Sequence, residues 1–205
     1  MQHPISYRRP IQKWVTARTI YPAIKLIKQH CAVVNVDSGI DYRLRTLTQA
    51  KLFHVPNDDQ ADQRLVESFH NLAPEKGCDF ESHAVEIEGR SIRVRAECDD
   101  VVFFDFPDIC KTARSHTDYM ELAQLYHAVI ISNVEQMGRH NDDVARRFIA
   151  LVDEFYERRV KLILSAQQPI DSLYSEGQLS FEFRRCVSRL QEMQSEEYLA
   201  LAHRA

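Results

Sequence analysis

Between residues 127 and 164 an apolar run, a long amphipathic helix and a second apolar run follow one another, and this succession leaves few folds open. Ala128, Val129, Ile130 and Ile131 make the first run, and Leu162, Ile163 and Leu164 the core of the second. Both are short and rich in β-branched residues, as strands buried on both faces are. Between them Val144, Phe148, Leu151, Val152 and Phe155 recur at helical spacing, which predicts a helix over 142–159 with Asn141 as its cap. Strand, helix and strand in that order predict a βαβ unit with parallel strands and a right-handed crossover. The fold class is therefore α/β.

The rest of the chain is read outward from this unit. A helix is expected over 117–127, with Thr117 as cap and Asp118 and Glu121 at its positive end. Residues 80–106 read as β. Val85 and Ile87, then Ile92 and Val94, alternate with polar residues on either side of a turn over 88–91, which is the pattern of a hairpin. Val101 to Phe104 read as a third, more buried strand of the same lobe. Residues 41–55 look extended. After Pro56 a helix is expected over 61–72, with Leu65, Phe69 and Leu72 on one face. At the amino-terminal end a helix is expected over 21–30 and a buried strand over 31–36. The last segment, 180–203, reads as a helix whose apolar face is Phe181, Cys186, Leu190 and Met193. The expected division is a helix and strand over 1–43, a β-rich lobe over 44–115, and the βαβ unit with carboxyl-terminal helices over 116–205.

Charge and cysteine usage exclude several function classes. The formal net charge is −4, which speaks against a nucleic-acid partner held by bulk charge. No apolar run approaches the roughly 20 residues of a membrane-spanning helix. The five cysteines, Cys31, Cys78, Cys98, Cys110 and Cys186, form no C-x-x-C pattern and are odd in number, so free thiols in a reducing cytoplasm are expected. Nine histidines include no H-E-x-x-H and no zinc spacing. From Met1 to Val36 there is no acidic residue, whereas Arg8, Arg9, Lys13, Arg18, Lys25 and Lys28 are basic. That is compatible with a targeting segment or with a basic helix docked on an acidic surface.

Three ordered blocks carry a resemblance to a known family. The first includes His30, Cys31, Val33 and Val36-Asp37-Ser38-Gly39, and leads into Asp41-Tyr42-Arg43-Leu44-Arg45. The second covers 118–129. The third covers 146–199, with Arg146-Arg147-Phe148-Ile149-Ala150-Leu151-Val152-Asp153-Glu154-Phe155-Tyr156 and Ser188-Arg189-Leu190-Gln191-Glu192-Met193. From about Tyr21 to its end the chain resembles the carboxyl-terminal part of the ZapE-like family of AAA+-type P-loop ATPases. These are linked to bacterial cell division and have mitochondrial relatives. The resemblance implies ATP binding and hydrolysis with Mg²⁺ in the intact family, protein partners in the division machinery, and a cytoplasmic location at the inner membrane or division site.

The same resemblance exposes what this sequence does not contain. Nothing reads G-x-x-x-x-G-K-[ST], the loop that holds nucleotide phosphates. The strand at 128–131 runs into Ser132-Asn133-Val134-Glu135 without an adjacent Asp-Glu pair, and the strand at 161–164 into Ser165-Ala166-Gln167. The phosphate loop, acidic Mg²⁺ motif and sensor strand are expected ahead of residue 1. ATP and Mg²⁺ are therefore not expected to bind tightly to this chain alone. The family pattern suggests Arg43 and Arg45 as phosphate-facing residues, the alternative being structural ion pairs. It suggests Arg18 as a trans-acting arginine, about one position out of register. Arg185 and Arg189 are four apart and could face nucleotide, or pair with Glu192 and Glu196 on their own helix. Two functions stay open: the non-hydrolytic end of a ZapE-like ATPase, partnered by its ATPase half, and a short protein-interaction module acting alone. An oligomer formed through an unpaired strand at 31–36 is a further expectation.

Overall fold

In the computed structural model the chain divides into two compact units, Met1–Ile40 and Asp41–Ala205. The described residues are 50–73 and 81–205, with Leu44, Leu47 and Thr48, and all belong to the second unit. Arg18, Arg43, Arg45 and the strand expected at 31–36 lie outside them.

The elements in order are β1 (Phe53–His54), α1 (Asp59–Leu72), β2 (His83–Ile87), β3 (Arg90–Val94), β4 (Ala96–Cys98), β5 (Val101–Asp105), α2 (His116–Leu125), β6 (Ala128–Val134), α3 (Asp142–Glu157), β7 (Lys161–Ala166), α4 (Ser180–Glu192) and α5 (Glu196–Leu199). A five-stranded sheet runs β1-β7-β6-β5-β4, and β2 and β3 form a separate two-stranded sheet. Strands β1, β7, β6 and β5 are mutually parallel, and only β4 is antiparallel to its neighbour. The α/β class and the parallel pairing of β6 with β7 follow the sequence pattern.

The pleat sorts the sheet's side chains between two cores. Val102, Phe104, Val129, Ile131, Leu162 and Leu164 share one core with the inward faces of α2, α3 and α4. Val101, Phe103, Ala128, Ile130 and Ile163 point the other way, against Leu65, Phe69 and Leu72 of α1. Helices thus cover both faces of the central strands, and this is why those strands are apolar at every position rather than at alternate ones. On the first face a run of ring contacts links Phe106 to Phe148 (5.9 Å), Phe148 to Phe183 (6.3 Å) and Phe183 to Tyr174 (4.9 Å). It joins the end of β5 to α3, α4 and the loop after β7. Each such ring, fully buried, is worth about 1.5–3 kcal/mol over exposure.

Several local expectations are corrected. Val101–Asp105 pairs with β6 inside the main sheet rather than with the hairpin, because an all-apolar strand needs cover on both faces. Leu44, Leu47 and Thr48 are helical, not extended. Helix α2 is capped by Ser115 instead of Thr117, with Ser115 and Asp118 forming a reciprocal capping box. Asn141 precedes α3 without capping it by a side-chain bond. Its side chain accepts from the Gly138 N–H (2.8 Å) and donates to Glu135 (3.2 Å). The final segment is two helices, not one. Phe181 points to solvent, 76% exposed, and Phe183 takes its place beside Cys186, Leu190 and Met193. The spacing of three, four and three residues fits one helix face better. Cys98 is disulfide-bonded and not a free thiol. Through-space proximity of sulfur atoms is a tertiary property that spacing does not give.

The β2–β3 hairpin turns at Glu88 and Gly89, both at positive φ (47° and 69°), as a two-residue hairpin turn requires. It is held against the start of α2 by Arg90, which donates to Ser115 (2.8 Å) and pairs with Asp118 (2.6 Å).

Candidate functional site

Four parallel strands end at one edge of the main sheet, and in open α/β sheets ligands are bound beyond the carboxyl ends of the strands. Strand polarity therefore selects the region to inspect. Because β1 feeds directly into α1, the first turn of α1 also lies there, capped by Asp58, whose carboxylate accepts from the Ala61 N–H (2.8 Å). Because β4 is antiparallel, its entry residue Arg95 arrives at the same edge.

Arg95 organises this edge. Its guanidinium donates to both oxygens of Asp62 (2.5 and 2.9 Å) and to the Ser132 hydroxyl (3.1 Å). It lies 3.7 Å from Asp105 and 4.4 Å from the centre of the Phe103 ring. Ser132 donates to Asp105 (2.5 Å), and the Asn133 amide donates to the same carboxylate (3.3 Å). Asn133 takes a left-handed backbone, φ 62°, where the β6–β7 register shifts. That turn aims its N–H at the Ser165 hydroxyl (3.1 Å). The hydrogen bond to Asp62 pushes the Arg95 guanidinium even higher than usual. Neighbouring Asp105 is one reason the Asp108 carboxyl sits above the usual carboxylate range, after the larger effect of its own burial.

Chemically, one cation is shared by two carboxylates, and the hydroxyl and amide donors are turned inward on Asp105. This edge does not fit a nucleotide with Mg²⁺. Its cation is already paired, and the nearby carboxylates would repel phosphate. At the end of β6, Glu135 is committed to Lys111 (2.6 Å) and Asn141. Among the described residues no group of three or more His, Cys, Asp or Glu is placed to hold a metal ion. The loops after β6 and β7 pack on each other through the Met137–Tyr174 bridge. A side chain at Gly177 would collide with the Tyr174 hydroxyl and come within 2.7 Å of Asp142, so it would have to push this pair aside.

Arg185 and Arg189 pair with neither Glu192 nor Glu196. Both bind Asp153 on α3 (2.5 Å each), and Arg189 also reaches Glu157 (3.1 Å), while Glu192 accepts from Tyr156 (2.8 Å). They fasten α4 to α3. Sequence reasoning weighed partners on the same helix and missed the neighbouring one. It also missed Arg95, which is a single basic residue in an alternating strand pattern until β4 brings it to the carboxyl edge.

Cys110 is fully buried, and burial pushes its thiol up to about 12. Cys186 is raised by the same cause. Neither is a thiolate nucleophile near neutrality. In the folded protein at pH 8 both are expected to resist a disulfide-exchange reagent and to react once the chain is unfolded, as read by mass-spectrometric mapping. Labelling of either at the rate of a small free thiol would contradict the burial.

The profile of the AFG1-like ATPase family matches residues 11–202. The chain is similar to the cell division protein ZapE of Escherichia coli K12, with 47% identity over 199 residues, covering 97% of this chain and 52% of that protein. It is also similar to lactation elevated protein 1 homolog B of Danio rerio, with 28% identity over 210 residues, 86% of this chain and 42% of that one. The chain thus spans about half the length of the curated relatives it matches. No solved structure matches it significantly. With the family pattern running through nearly all its length, on an α/β scaffold with a parallel-dominated sheet, this chain belongs to the AFG1-like ATPase family.

Proposed function

We propose that this chain is the non-hydrolytic carboxyl-terminal part of an AFG1-like, ZapE-like ATPase with a role in cell division. ATP and Mg²⁺ are held in the intact protein by residues outside this stretch. The observation that carries the reading is the carboxyl edge of the parallel sheet. Where a phosphate site would be built, Arg95, Asp62, Asp105, Ser132 and Asn133 satisfy one another, and the sequence holds no phosphate loop. Positioning and charge neutralisation of phosphates are most of what phosphoryl transfer asks of a protein. Arg43 and Arg45, and Arg18 with less register, remain the residues proposed to reach the nucleotide of the ATPase half. Among the described residues no helix is long and apolar enough to cross a membrane. The proposed setting is the cytoplasmic side of the division site, with division proteins or the ATPase half as partners.

The purified chain is expected to release phosphate from ATP no faster than a no-enzyme control. Steady release that Arg43→Ala abolishes would overturn the reading. A second reading, a protein-interaction module acting alone, draws support from the two apolar cores that the described residues of Asp41–Ala205 form. An in-frame phosphate-loop sequence upstream of Met1 favours the first reading. A promoter directly before Met1 favours the second.

A further inference from the structure

The hairpin carries a second constellation that the ATPase reading does not use. A cavity of about 540 Å³ is lined by Ser82, His83, Ser91, Arg93, Asp108, Thr112 and Arg114, with Ala84. It lies between the exposed face of β2–β3 and the segment after β5. Its two arginines are held in place from behind. Arg93 donates through Nε to the Ser82 hydroxyl (3.0 Å). Arg114 donates through Nε to the Thr112 hydroxyl (3.0 Å) and through one terminal nitrogen to the Ser91 carbonyl (2.8 Å). Thr112 is fixed in turn by donating to the Asp108 carbonyl (2.7 Å).

These bonds orient two planar guanidinium groups without neutralising them. Arg90, on the same hairpin, is spoken for by Asp118, and Arg95 by Asp62. Among the described residues neither Arg93 nor Arg114 has a carboxylate within ion-pair distance. Asp108, which also lines the cavity, feels the charge of both. The His83 ring is engaged by Glu97 (3.0 Å) and the Glu81 carbonyl (3.0 Å).

Two oriented guanidiniums with serine hydroxyls beside them match the needs of a tetrahedral oxyanion. Its several acceptor oxygens take paired N–H donors from arginine and further hydrogen bonds from hydroxyls. A carboxylate ligand would use the forks but leave the hydroxyls idle. We infer that the cavity between the hairpin and the segment after β5 binds a phosphoryl group through Arg93 and Arg114, at a site separate from the Arg95 cluster. The group could be carried by free pyrophosphate or by a nucleotide, and the site recognises the chemistry they share.

The test is an NMR titration of the full 205-residue chain with pyrophosphate, and separately with ADP, at low salt. Saturable amide shifts are expected at 82–84, 91–93 and 108–114. Arg93→Gln with Arg114→Gln should weaken binding at least about tenfold, the loss of two charge-assisted contacts. Asp108→Asn should strengthen it about two- to fivefold by removing the repelling carboxylate. The conservative pair Arg93→Lys with Arg114→Lys retains charge but not the fork, and should fall between. ADP binding no tighter than pyrophosphate marks the phosphates as the whole determinant. Tighter ADP binding with shifts beyond the cavity marks a nucleotide as the source. The inference is overturned if no saturable shifts occur, or if they are scattered over the surface and survive the double Gln variant with its spectrum otherwise intact.

Discussion

Lys161→Ala is expected to destabilise the fold by about 2–4 kcal/mol and to lower Tm by roughly 5–15 °C in a chain of this size. Lys161 opens β7 and is 1% exposed. Its ammonium donates to the carbonyls of Tyr198 (3.1 Å) and Leu201 (2.8 Å) and sits 5.0 Å from the centre of the Tyr198 ring. It thereby closes the carboxyl end of α5, where carbonyls are left without helical partners and a cation is favoured. Tyr198 reaches back, its hydroxyl 3.2–3.3 Å from the carbonyls of Phe155, Tyr156 and Val160. Two opposing effects bear on the outcome. Removing a buried ammonium relieves its desolvation cost, which by itself can stabilise. Alanine also takes the ammonium from the Leu201 carbonyl, at about 1–3 kcal/mol, while the Tyr198 carbonyl keeps the Leu201 N–H (3.1 Å), and it opens a cavity the length of the lysine stem. The second effect should win unless the tail undocks. Undocking has its own signature, early proteolytic cleavage after residue 193. Lys161→Met separates the two, since it fills the space without the charge. A Lys161→Ala variant within about 1 kcal/mol of the parent, with an uncleaved tail, would show that the lysine is a passenger.

The second large effect is expected at Asp118, whose side chain is wholly buried at the start of α2. One oxygen accepts from the Ser115 N–H (2.6 Å) and hydroxyl (2.9 Å), and the other faces Arg90 (2.6 Å). Asp118→Ala removes the acidic half of the capping box, worth about 1 kcal/mol, and the anchor of the hairpin. Arg90 is 41% exposed, so its freed charge turns to water and the total stays near 2–3 kcal/mol. Arg90→Ala does the reverse and strands a buried carboxylate on the two Ser115 donors. A double-mutant cycle by denaturant unfolding should therefore return a coupling of about 1–3 kcal/mol. Additive costs would mean that the hairpin is held by its apolar residues Val85, Ile87, Ile92 and Val94 alone.

Much of this protein is already decided by short-range pattern. The period of Val144 to Phe155 makes α3 a helix with one inward face, and the apolar runs on either side make β6 and β7 strands covered on both sides, because burial is the only way to satisfy such runs. The alternation of Val85 to Val94 around Glu88 and Gly89 makes a hairpin for the same reason of pleat and turn. The family was legible too, since long literal blocks survive in any reading. What the sequence could not supply is adjacency between elements far apart in the chain. Arg95 meets Asp62, Asp105 and Ser132 only because β4 runs antiparallel and β5 to β7 run parallel. Arg185 and Arg189 choose Asp153 over the acids of their own helix only because α4 lies on α3. Lys161, in sequence one more charge at the head of a strand, becomes the clasp of the carboxyl terminus only when β7 is buried beside α5. Propensity and periodicity act over a few residues and so can be read along a chain, whereas the partners of a charge are set by distances that exist only once the sheet has closed.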